Sequence, residues 1–126
     1  MKTHGEIEAG VCEVASRFQQ EYMGRGPKDI RAYLIDDLLV VRLRGVLTAG
    51  EQHLVKTLPM DKGEGLLKQM RRQLMDTGKL AVEEMVQRIT GVKVVSLHYD
   101  ISTVTGEEVM IFTLAEPPVC REAKRG

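Results

Sequence analysis

The hydrophobic positions of this chain switch between a period near 3.6 residues and a period of two, and the switches mark out its elements. Ile7, Val11, Val14, Phe18 and Tyr22 recur at steps of three and four, which predicts one buried stripe on a helix from about His4 to Met23. Glu6, Glu8, Glu13, Arg17 and Gln20 occupy its other side. Gly24 suits a left-handed C-cap and Pro27 forces Gly26 out of helical space, so the helix stops there. From Asp29 the period is two: Ile30, Ala32 and Leu34 alternate with Arg31, Tyr33 and Ile35. Leu39, Val41 and Leu43 then alternate with Val40, Arg42 and Arg44 across a tight turn at Asp36-Asp37.

Thr48-Ala-Gly-Glu51 fits a capping box and predicts a short helix to about Thr57. Pro59 interrupts it, and Asp61 is placed to cap a helix over 61–90, where Leu67, Met70, Leu74, Ala81, Met85 and Ile89 keep a seven-residue rhythm. The apolar phase passes through Gly78 unshifted, so one long helix bending near Thr77-Gly78 is expected, with two helices broken at Gly78 as the alternative. Past Gly91, residues 92–102 and 108–115 read as two strands joined at Thr105-Gly106. Residues 117–126, opened by two prolines and rich in mixed charge, read as a mobile tail behind a single domain over 1–116.

The order α-β-β-α-α-β-β predicts an α+β fold, a four-stranded antiparallel sheet with helices on one face. Ile30, Leu34, Leu39, Val41, Leu43, Val95, Leu97 and Ile101 are assigned to the helical side. Arg31, Tyr33, Arg42, Arg44, Ser96, His98 and Asp100 are assigned to the opposite face. The last strand is apolar on both sides, through Val109 and Ile111 and through Met110, Phe112 and Leu114. A wet antiparallel sheet avoids such a surface, so a second copy of the chain or another protein is expected to cover it.

Charge and composition narrow the chemistry. Lys+Arg and Asp+Glu both number 18, so no global field recruits nucleic acid or anionic lipid. Cys12 and Cys120 are two lone thiols without metal or disulfide spacing, which fits a reducing cytoplasm. No apolar run approaches the ~20 residues of a membrane span, so no direct membrane insertion is expected. Neither a His-x-x-x-His nor a Cys-x-x-Cys pattern occurs, so no metal or other cofactor is expected.

Two places carry candidate chemistry. In Gly24-Arg-Gly-Pro-Lys28, glycines let backbone amides converge while Arg25 and Lys28 add charge, so the joint reads either as an anion or partner contact or as a plain turn. On the outer face, Arg42, Arg44, His98 and Asp100 read either as a convergent polar site or as cross-strand charge pairs. Lys68, Arg71, Arg72 and Lys79 form a basic strip along the long helix and read as a solvated face.

Gly24–Lys28, the hairpin Ala32–Thr48 and the closing segment Asp100–Leu114 together resemble the MpsC-type family, the C component of a Na+-translocating membrane-potential-generating system. That resemblance covers almost the whole chain and implies a short cytoplasmic bacterial protein without catalytic residues to carry over. The resulting expectation is a non-enzymatic accessory or regulatory protein, a homodimer with a possible membrane-protein partner, acting by protein–protein contact. One alternative is a nucleic-acid-binding module, since the order of elements is like the type II K-homology arrangement. It is disfavoured because Met60–Gly65 lacks the basic Gly-x-x-Gly loop. A small-molecule sensor or an undescribed enzyme using the Arg and His98 face is the other.

Overall fold

Thr3 opens the first helix. Its Oγ1 accepts from the Glu6 N–H at 3.1 Å, while Glu6 Oε1 accepts from the Thr3 N–H at 3.0 Å, a reciprocal capping box. Helix α1 (His4–Met23) ends where Gly24 turns left-handed at φ 78°, as the sequence predicts. The computed structural model that describes this chain covers residues 1–58 and 62–121. Strands β1 (Asp29–Ile35) and β2 (Leu38–Arg44) form the first hairpin around Asp36-Asp37. Thr48 and Glu51 make a second capping box and start α2 (Ala49–Thr57). Helix α3 (Lys62–Thr90) runs unbroken, and β3 (Val94–Ile101) and β4 (Glu108–Leu114) complete the chain's elements. The break expected at Pro59 and the cap expected at Asp61 lie outside the described residues.

All strand pairings are antiparallel and the sheet order is β1-β2-β4-β3. Helix α3 carries the chain to the far edge, where β3 forms, and the turn at Thr105-Gly106 returns β4 into the gap beside β2. Helix α1 packs on β1 and β2, α3 packs on α1 and β3, and α2 rests on α3. The fold is therefore α+β with its helices on one face, as expected.

The core differs from the predicted stripes in three places. On α1, Ala15 is buried and Val14 is only half-buried. On α3 the buried line is Leu67, Arg71, Met75, Gly78, Val82, Val86 and Thr90, one residue along from much of the predicted seam, while Met70 is exposed. A straight helix of 3.6 residues per turn does not hold a seven-residue line against one neighbour, and α3 faces both α1 and the sheet. On β3 the register shifts between Val94 and Ser96, so Val94 turns inward and Val95, assigned to the core by alternation, is 65% exposed. One extra residue reverses every side chain on its far side.

Gly78 is explained by packing. A Cβ there would lie 2.5 Å from Cε2 of Phe18, so α1 and α3 approach as closely as they do because this position has no side chain. The Phe18 ring, itself fully buried, stacks on Tyr22 with centroids 4.6 Å apart.

The sequence reads 117–126 as a mobile tail. Its described part, 117–121, returns to the start of α1: Arg121 bridges in parallel to Thr3, its N–H donates to the Lys2 carbonyl at 3.0 Å, and its Nε donates to the Met1 carbonyl at 2.8 Å. Pro118 is buried there. Residues 122–126 lie outside the described residues.

These contacts separate two glycines of α3. Gly78→Val overpacks the crossing and is expected to lower stability by about 1–3 kcal/mol. Gly65→Ala, in open space, is expected to raise it by about 0.4–1 kcal/mol. Urea unfolding of both variants checks the pair.

Candidate functional site

The face of the sheet away from the helices is organised in rows set by strand register. Tyr33, Val40, Ile111 and His98 lie side by side across β1, β2, β4 and β3. The next row is Arg31, Arg42, Val109 and Asp100, and on the other side lie Ile35, Leu38, Thr113 and Ser96. No helix of the described residues covers these rows, and Tyr33 and Ile35 are 46% and 57% exposed. The outer face thus has an apolar centre on the two middle strands, a basic end on β1 and β2, and an acidic residue on β3.

The candidate residues are drawn to separate partners. Arg42 pairs with Glu107 at 2.9 Å, and this bond holds its guanidinium pKa above the ordinary value. Asp100 lies 3.5 Å from Lys68 on α3 and accepts from the N–H of Ile101. Val109 stands between Arg42 and Asp100, so the two do not meet. His98 is exposed opposite Ile111, and Arg44 is exposed at the end of β2, opposite Asp29. At the joint, Arg25 turns inward and its Nη1 donates to the Leu47 carbonyl at 2.8 Å. The Lys28 stem lies over Gly45, where a Cβ would come within 2.7 Å of it, and its side chain lines a cleft beside α2. No three His, Cys, Asp or Glu side chains converge as a metal set among the described residues. Burial, followed by the charge of Glu8, pushes the Cys12 thiol up and away from reactivity.

The strongest electrostatic feature lies on the strip that the charge pattern predicts to be solvated. Arg71 is only 4% exposed. Its Nε and Nη2 form a fork on Glu51 at 3.1 and 3.3 Å, Nη1 donates to Glu108 Oε2 at 3.2 Å, and Nη2 also donates to the Val46 carbonyl at 3.0 Å. Gln19 Nε2 donates to the other oxygen of Glu108 at 3.2 Å, leaving its own Oε1 without a partner. Helix periodicity could have flagged Arg71, which lies four residues from both Leu67 and Met75. Its charge argued the other way, because the carboxylates that pay for its burial are 20 and 37 residues distant in sequence.

The K-homology alternative looks for a glycine pair in the loop between paired helices. Gly63 and Gly65 instead fall inside α3, and Gly63 is packed so that a Cβ would lie 2.8 Å from the Leu54 carbonyl oxygen.

Residues 3–116 match the family model described as the Na+-translocating membrane potential-generating system, MpsC. This chain belongs to the MpsC family. Among curated relatives, the uncharacterized protein YbcI of Bacillus subtilis (strain 168) is 34% identical over 115 residues, spanning 90% of this chain and 89% of the relative. No solved structure matches the chain. The family match spans all seven elements, so the buried Arg71 cluster and the open sheet face both lie within the MpsC domain.

Removing Arg71 leaves two carboxylates unpaired, so Arg71→Met is expected to cost about 3–5 kcal/mol in chemical denaturation. Glu108 behaves differently. Burial raises its pKa above the ordinary 4.5, against the pull of Arg71 and Gln19. A raised carboxyl binds its proton more tightly in the folded state, so its contribution is full at low pH and declines as pH rises through the raised value. Glu108→Gln keeps the shape without the charge. Its stability relative to the unsubstituted protein is therefore expected to improve from about pH 5 to about pH 8, which unfolding at the two pH values measures.

Proposed function

We propose that this MpsC-family chain is a non-enzymatic accessory component of a Na+-translocating, membrane-potential-generating assembly, working in the cytoplasm by protein–protein contact. The observation that carries the proposal is the open outer face of the sheet, whose half-exposed Val40, Val109 and Ile111 sit on the two central strands. Four such strands with one bare apolar face are commonly completed by a second layer. No helix of the described residues is long and apolar enough to cross a membrane, and in this proposal the ion path belongs to partner chains.

The occupant of the outer face is a second copy of the chain. A two-fold axis lying between two facing sheets and parallel to the strands reverses each row on its partner. Arg31 then faces the partner's Asp100, Tyr33 faces the partner's His98, and Val40 faces the partner's Ile111. Basic and acidic ends complement one another while the apolar centre is buried twice, which suits an isologous interface. The dimer leaves its helical side free for the membrane-embedded partner.

Light scattering at micromolar concentration is expected to give a dimer. Ile111→Glu is expected to give a folded monomer. Asp100→Arg is expected to weaken the dimer, and Arg31→Asp in the same chain to restore it. A strictly monomeric unsubstituted protein would overturn the dimer, and crosslinking in native cells that captures no transport protein would overturn the accessory role.

A further inference from the structure

A cleft of about 470 Å³ opens between α2 and the turn that joins β3 to β4. That volume falls in the range of small-molecule sites. Its charge is one-sided: Lys28 from the hairpin joint and Lys56 from the last turn of α2 line it, and among the described residues no carboxylate does. This asymmetry occurs in a chain whose acids and bases are equal in number. Among the described residues neither lysine is within ion-pair reach of a carboxylate.

The remaining walls add donors and an apolar surface. Thr105 Oγ1 accepts from the Glu107 N–H at 3.3 Å, so its own proton is free to point elsewhere, and Thr103 supplies a second hydroxyl. Leu47 and Val55 line the same space with hydrocarbon. Two cations, two hydroxyls and an apolar wall match a solute with an anionic head and an apolar body.

We propose that this cleft binds a small organic anion, a carboxylate or phosphate monoester carrying a short hydrocarbon portion, held between Lys28 and Lys56. Helix α2 has no buried residue of its own, and Glu51 ties its first turn to Arg71. An anion spanning the two lysines ties the end of α2 to the joint between α1 and β1. The site is separate from the outer sheet face and does not depend on dimer formation.

Titration of isotope-labelled full-length protein by NMR, with octanoate, hexyl phosphate, acetate and octan-1-ol as probes, tests this. Octanoate and hexyl phosphate are expected to give saturable shifts at the amides of Gly45, Gln52 and residues 103–106, with the tighter of the two identifying the preferred head group. Acetate and octan-1-ol are each expected to bind at least about tenfold more weakly, since each lacks half of the recognised chemistry. Lys56→Gln, at an exposed position, is expected to weaken octanoate several-fold, and Lys28→Gln with Lys56→Gln to remove saturation, while the variant spectra report that the fold is kept. Octan-1-ol binding as tightly as octanoate, unchanged affinity in the double variant, or no shift with either anion would each overturn the proposal.

Discussion

One buried cation holds the layers of this molecule together. Arg71 sits on α3 and reaches α2 through Glu51, β4 through Glu108 and the post-hairpin segment through the Val46 carbonyl, and Gln19 of α1 joins from the far side of Glu108. A guanidinium withdrawn from water costs several kcal/mol unless its donors are met and its charge is balanced. Here the balance is slightly over-supplied, with two carboxylates to one guanidinium. Glu108 is the more deeply buried of the two, and its withdrawal from water, more than the nearby Glu51 charge, is why its proton is held more firmly than usual. Glu51 also caps α2 through the Thr48 N–H, so the start of that helix and the position of Arg71 are fixed by the same carboxylate.

The sheet meets different constraints on its two sides. Its inner side is sealed by α1 and α3, whose closest approach is permitted by Gly78 against Phe18. Its outer side is bare, and the register that puts Val40 beside Ile111 creates an apolar centre which the polar ends of the rows then flank. The strand order has a chemical consequence as well. Because β4 lies between β2 and β3, Arg42 and Asp100 are separated by Val109, and each finds a partner off its own row: Glu107 for one, Lys68 for the other.

Much of the architecture was legible because it is written in local rules. Both hairpins, the capping box at Thr48 and Glu51, the left-handed stop at Gly24 and the long helix through Gly78 follow from residue type and period alone. The misreadings share a cause. Alternation places Val95 inward because it cannot register a bulge, and a pattern count favours Val14 over Ala15 because it weighs size above position. Charge argues for a solvated Arg71 because it usually outweighs period, and the compensating partners come from other elements. The candidate site was legible only as residue types. Arg25, Lys28, Arg42, Arg44, His98 and Asp100 were visible, but whether they converge depends on which strands adjoin, and nothing in the spacing states that.

The sequence by itself determined the elements, their order, the α+β class and the balance of charge, since each follows from interactions within a few residues of chain. Only the tertiary structure decided that β4 would stand beside β2, that an arginine would enter the core, and that Lys28 and Lys56, 28 positions apart, would border one cleft. The physical reason is range. Periodicity and capping are set by neighbours along the chain, whereas burial of charge and the shape of a cleft are set by groups that meet only after the chain has folded back on itself.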